Sequence, residues 1–442
     1  VNKITFLLIF GTLQCLVAQV KISPDGILRT SQTHTFQRMG YQNVLSNVNY
    51  PSQNYDVTQR QNEVIIAEVR IRQKQEEKYR KRLQILLDEA VNEFSPIYYL
   101  PSNISKQGAS YYQKAFQNLK QMSNNSFSVR EAVFTVENAF YENEEDYLEF
   151  EKVVKQTGDF LRQKMTELGY DSNSNLAKNF TLFQFFTDTL EIKSKNLKHL
   201  PLEYDFEDFW GRDDHSKIFV KKLLSTGKGQ CHSLPLFYMI LAEEIDADVY
   251  LTFSPNHSYI KFQDNHKKKW YNVELTNQTL TTDAFVLQSG YVKAEAIQQG
   301  IYINPLTKSQ LKANMIVDLA SGYIYKYGYD EFVSEMIHEA LQIDPKSITG
   351  HLIKSNYNNY KVKYVFNKLG ITKNNFENEI KKHPAAIELL KKMINQHKTI
   401  AALGYQEMPE EAYQKWLTSI DKQGNKQQQK QLKLKLNTPI KQ

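Results

Sequence analysis

Cysteine is almost absent from this chain of 442 residues, which holds only Cys15 and Cys231. Two thiols cannot make a disulfide framework or a four-sulfur zinc site. Long apolar runs are scarce too. After residue 17 no segment approaches the ~20 consecutive apolar residues of a membrane-spanning helix, so no transmembrane span is expected. Unbalanced charge is missing from the body of the chain. The formal net charge is +6, but Asp421 to Gln442 carries six lysines and one acid, and so accounts for five of those charges. The remainder is close to neutral, which argues against a large nucleic-acid-binding face. Apolar material is plentiful: 41% hydrophobic and 12% aromatic content lies well away from the composition of disordered chains. It is enough for the cores of two or three domains.

The chain begins Val1-Asn2-Lys3, continues with an apolar run from Ile4 to Val17, and reaches Ala18-Gln19 before turning polar. A positive start, a short apolar core and a small residue at the cut have the layout of a secretory signal. Cleavage near Ala18 and export, to a periplasm or outside the cell, are expected. Gln14 before Cys15 is too bulky for lipid-anchor processing. Loss of residues 1–18 leaves Cys231 as the single thiol, either an intermolecular bridge or a free cysteine with a purpose.

Residues 19–58 form a polar lead-in rich in Gln, Asn and Ser, and 59–179 a helical region. Asn62 to Phe94 has a charged middle that fits a solvated helix face. Ser102 to Ser126 is polar and broken by Gly108 and Asn124-Asn125. Val129 to Leu168 has apolar residues at helical spacing, with Glu142 to Asp146 as an acidic break between two helices. More helix is expected at Phe180 to Leu190, Ile218 to Leu224 and, with Pro235 in its first turn, Ser233 to Ile245. Asp248 to Phe253, Ser258 to Phe262 and Trp270 to Leu275 alternate as strands. Helix followed by an antiparallel sheet, within residues 180–282, predicts an α+β core between helical flanks. Residues 283–420 read as helical hairpins. There Gly322, Tyr323 and Ala340 to Pro345 resemble part of a tetratricopeptide unit. A last helix, Met408 to Ile420, precedes a basic, disordered tail at 421–442.

Cys231 follows the turn Ser225 to Gly229 and directly precedes a helix. Unpaired N–H groups and the dipole at a helix start stabilise a thiolate, and can bind a developing oxyanion. That glycine-lysine turn lacks the spacing of a phosphate-binding loop. His257 opens a strand, and Glu274 lies on the next one. A hairpin centred between Asn265 and His266 sets the two directly opposite, with Cβ atoms ~5 Å apart, whereas a slip of one residue would send Glu274 to the other face. Nucleophile, base and orienting group can thus be assigned to Cys231, His257 and Glu274. Gln230 and Asn256 are candidate oxyanion or supporting donors by adjacency, and Trp270 is expected to pack on the site and shield it. His232 is expected to face away from the nucleophile's partner. Metal binding by Cys231, His232, His257 and His266 lacks paired-ligand spacing. Taken singly, each residue has a plainer structural role: a buried thiol, a strand-end histidine, and a glutamate paired with Lys267, Lys268 or Lys269.

The motifs Gly229-Gln230-Cys231-His232-Ser233-Leu234-Pro235, Pro255-Asn256-His257 and Trp270-Tyr271-Asn272-Val273-Glu274 resemble the transglutaminase-like superfamily of cysteine enzymes, over roughly Phe180 to Thr282. The nearer resemblance is to a bacterial branch in which the core precedes tetratricopeptide-like helices. The resemblance implies a papain-like acyl-transfer fold in which Cys231 attacks an amide or ester carbonyl, His257 is its base, and a carboxylate, usually aspartate, orients the histidine. Here that carboxylate is Glu274. An exported enzyme acting on protein or peptide amide bonds is expected, most simply a hydrolase. No cofactor is required, and no acidic loop has calcium-site spacing. The alternative expectation is a catalytically silent core whose flanking helices bind a protein or peptide.

Overall fold

In the computed structural model, residues 97–264 and 268–419 are described, with scattered helical positions between 63 and 81. The expected signal (1–18), the lead-in (19–58), the tail (421–442), Cys15 and His266 lie outside the described residues. From residue 97 onward four helices lead: α1 (Ala109–Gln121), α2 (Val129–Phe140), α3 (Tyr147–Glu167) and α4 (Asn175–Thr187). Short strands β1 (Leu190–Ile192), β2 (Leu197–His199) and β3 (Glu203–Tyr204) lead to helix α5 (Val220–Thr226), strand β4 (Lys228–Gly229) and helix α6 (Ser233–Glu244). Strands β5 (Tyr250–Ser254), β6 (His257–Asp264), β7 (Lys269–Glu274) and β8 (Thr279–Thr281) make an antiparallel sheet in sequential order. Helices α7 (Asp283–Leu287), α8 (Ala294–Gln299), α9 (Lys308–Tyr327), α10 (Glu331–Ile343), α11 (Ile348–Lys368), α12 (Phe376–Glu379), α13 (Pro384–Ala402) and α14 (Glu410–Thr418) complete the described residues. The molecule is α+β with helical flanks.

Helix α6 is apolar on every side and buried from Ser233 through Ala242, as a central helix must be. It packs on β5 and β6 and against α2, α3, α4 and α5. The acidic break between α2 and α3 ends where Asp146 accepts the Leu148 N–H as an N-cap. One hydrophobic cluster runs from Leu100 to Tyr357 and includes residues of α1, α2, α6, the sheet, α9 and α10. The three regions delimited at 180 and 283 in the sequence therefore share a core. Helices α9 and α10, α10 and α11, and α11 and α13 pack in series, and α9 also covers α1 and α2.

Three sequence expectations change. The stretch 102–126 contains a full helix, α1, with Ala109, Tyr112, Ala115, Phe116 and Leu119 buried at helical spacing; intervening Gln and Lys had diluted that stripe. Helix α4 stops at Thr187, and Leu190 belongs to a strand. The hairpin register also moves. Ile260 pairs with Val273 and Asp264 with Lys269, a shift of two residues that places Glu274 level with Tyr259 and diagonal to His257. A shift of two keeps the face, so the pair survives.

Candidate active site

The cysteine loop is fixed from both sides. Strand β4 pairs parallel with β3, setting Tyr204 beside Gly229. A Cβ on Gly229 would come within 2.8 Å of Ser233 Oγ and 3.0 Å of a Leu223 methyl, so only glycine lets the loop run this close to the start of α6. The Gln230 N–H donates to Ser233 Oγ at 3.0 Å. The Ser258 hydroxyl donates to the Cys231 carbonyl, tying the loop to β6. Cys231 is left just ahead of α6, 8% exposed.

His257 begins β6 after Asn256, which turns the chain at φ 60°. Its Nε2 donates to Glu274 Oε2 at 2.7 Å, and both side chains are buried. Glu274 Oε1 accepts the Thr276 N–H at 3.2 Å, so the carboxylate is held at both oxygens. Diagonal residues across a ladder have Cβ atoms ~7–8 Å apart, which favours a side chain one methylene longer than aspartate. The glutamate thus suits the observed register. Nδ1 of His257 is turned to the Tyr413 hydroxyl at 3.0 Å.

Burial pushes the Cys231 thiol up, but its contacts with His257 and then with the Tyr413 hydroxyl outweigh burial and bring it below its ordinary value. Burial pushes His257 down, and the Glu274 carboxylate with Cys231 more than reverses this, to about 10. The two shifts share one cause, the contact between the thiol and the imidazole.

The aromatic cover was not anticipated. Tyr413 and Trp416 of α14 lie over His257, with the Trp416 ring edge-on at 5.6 Å. Trp416 stacks on Phe285 and donates its Nε1–H to the Phe285 carbonyl at 3.1 Å. Phe209 and Trp210 pack on Tyr413. Asn256 Nδ2 donates to the Met408 carbonyl at 2.7 Å, so this residue anchors the segment before α14. Trp270 is not on the site. It sits opposite Gln263, 40% exposed, with its ring tilted against Tyr250. Four residues of strand span ~13 Å, which carries Trp270 away from the end that holds Glu274. Gln230 is fully buried, and its side-chain oxygen and nitrogen have no hydrogen-bond partner.

Cys231 and His257 open onto a cleft of about 210 Å³ whose other walls come from α2, α9 and α11. His232, Asp318, Glu137 and His215 line it as well. The His232 ring turns to the helical wall, with Nδ1 at 3.1 Å from the Ile218 carbonyl oxygen and Nε2 at 3.2 Å from Asp318 Oδ2. Burial alone would push His232 down, but Asp318 drives it up to about 9. His215 stacks on Tyr325 and lies near Phe140, and burial pushes it down to about 3. Glu137 accepts the Val220 and Lys221 N–H groups at the start of α5, and burial pushes it up to about 7. Among the described residues no group of three or more His, Cys, Asp or Glu is placed to hold a metal ion, and no helix is long and apolar enough to cross a membrane. Set against protein-family models, curated proteins and solved structures, the chain matches none.

Proposed function

We propose that this protein is an exported, transglutaminase-like cysteine enzyme that hydrolyses amide bonds of proteins or peptides. The observation that carries the reading is the buried chain of contacts from Glu274 through His257, at 2.7 Å, to the Cys231 thiol. The Cys231 thiolate attacks the amide carbonyl carbon, and the carbonyl electron pair moves to oxygen. Backbone N–H groups at the start of α6 and the buried Gln230 amide are the candidate donors to that oxyanion. As the oxyanion collapses the C–N bond breaks, and the His257 imidazolium gives its proton to the leaving nitrogen. A thioester on Cys231 remains. Water then attacks it while His257 takes the water proton, and the acid leaves with regeneration of the thiolate and imidazolium. Glu274 fixes the ring throughout.

The test is trapping with an electrophilic peptide-amide probe. Wild type is expected to form a stable adduct on Cys231 and Cys231→Ala none; no adduct on wild type would count against the enzyme. A second reading, a silent core that binds a protein or peptide, is favoured by one observation: Tyr413 and Trp416 cover a histidine side chain with no exposed surface. Alkylation across pH separates the two. A thiolate enzyme requires an apparent thiol pKa well below ~8.5, and a silent core does not.

A further inference from the structure

Both ring nitrogens of His232 face acceptors, the Ile218 carbonyl oxygen on one side and the Asp318 carboxylate on the other. With the Nδ1–H given to the Ile218 carbonyl, a neutral ring would set its Nε2 lone pair 3.2 Å from a carboxylate oxygen, so this placement favours the cation. Asn314 Nδ2 donates to the same Asp318 oxygen at 2.9 Å and keeps that acceptor in place. His232 is also the residue after Cys231. Adjacent Cα atoms are ~3.8 Å apart, and both side chains line one cleft.

We infer that His232 is a second imidazolium that holds Cys231 as thiolate from the helical wall of the cleft, complementing His257 on the sheet wall. The inference rests on the reading of Cys231 as the nucleophile. The ring is turned to the helical wall, so its action is that of a charge on the residue next to Cys231 and not of a proton donor. It is a positioning residue.

The charged groups facing His232 are consistent with this role. From α9 comes Asp318, which lies 3.2 Å from the far nitrogen and partly offsets the field. Glu137 faces it from α2, and burial pushes that carboxyl up to about 7, so it is a weak competitor near neutral pH. His215, from the turn before α5, is pushed down to about 3 by burial and stays neutral. What remains is a cation one residue from the thiolate.

The experiment is the pH dependence of iodoacetamide alkylation of the full chain, in wild type, His232→Gln and His232→Lys, with circular dichroism to check folding. His232→Gln is expected to raise the apparent thiol pKa and to slow alkylation at pH 6 roughly threefold, because gained nucleophilicity offsets part of the lost thiolate. His232→Lys restores the charge and should recover most of the rate. Asp318→Asn removes the carboxylate that keeps the ring charged against burial, so the thiol pKa should rise, as in His232→Gln. It keeps the test open if His232→Gln does not fold. An unchanged pKa in His232→Gln, an equal rise in His232→Gln and His232→Lys, or a fall in Asp318→Asn would each overturn the inference. A wild-type thiol pKa at or above ~8.5 would instead remove the nucleophile itself.

Discussion

The two walls of the cleft each present an imidazole paired with a carboxylate, and they do so by different means. On the sheet wall His257 and Glu274 sit on neighbouring strands at 2.7 Å, both sealed from solvent, with Tyr413 over the second ring nitrogen. On the helical wall His232 and Asp318 belong to segments far apart in sequence, meet at 3.2 Å and keep about a quarter and a fifth of their side chains exposed. A ladder fixes its pair to one face and one reach, whereas the residue just ahead of α6 and a residue of α9 meet through the fit of a shared core. The sheet pair is therefore suited to moving a proton, and the helical pair to supplying a steady field.

The sharpest way to break that comparison is to neutralise each carboxylate in turn. Glu274→Gln is expected to slow acyl-enzyme formation by about 100-fold or more, because the ring loses both its orientation and its charge partner. Asp318→Asn should change that rate by less than about tenfold. Equal losses in a rapid-mixing assay with the trapping probe would mean that the walls do not differ in role.

A smaller effect separates the site's cover from the exposed end of the same sheet. Trp416→Ala should cost about 3–5 kcal/mol in a denaturant melt, since it empties a buried aromatic site over His257. Trp270→Ala, at the exposed end, should cost less than about 1 kcal/mol.

The helical wall has its own pH signature. His215 has a folded pKa of about 3, below the ordinary 6.5, so between these values the unfolded chain binds a proton that the folded chain refuses. Stability should fall as pH drops from 6.5 toward 3, by about 1.4 kcal/mol per pH unit from this residue. His215→Phe should flatten that limb of a pH–melting curve. His257 and His232 have the opposite sign. Their folded pKa values, about 10 and about 9, lie above the unfolded one, so their stabilisation is fully present below pH 6.5 and is lost as pH rises through those values.

The smallest expected change is at the contact between α14 and the sheet. Tyr413→Phe keeps the ring and removes the hydroxyl, and should cost about 1 kcal/mol in stability while raising the thiol pKa. A thiol pKa that does not move would place the hydroxyl on His257 alone.

Much of the sheet wall was legible from residues. A glycine turn, a cysteine, an all-apolar helix and alternating strands are local patterns, and they located Cys231, His257 and Glu274 with the right order and faces. The register was read two residues off, because the polar connection at 263–269 contains no turn signal strong enough to fix its centre. Even periodicity of side chains made that error harmless for Glu274. Trp270 failed for a related reason: proximity along a strand was taken for proximity in space. Asn256 was correctly placed next to His257, but its amide reaches the Met408 carbonyl.

By itself the sequence determined the elements whose patterns are local: the break between α2 and α3, the buried helix that starts after Cys231, and the pairing face of β6 and β7. Only the tertiary structure decided what meets them from a distance. Tyr413 and Trp416 come from a short amphipathic helix near the far end of the described chain. Asp318 comes from one turn of α9, and nothing near any of the three marks it as a partner of the cysteine loop. A strand's neighbours follow from a period of two, but the partner of a helix face is chosen by packing among many apolar faces, and that choice is made by the whole core at once.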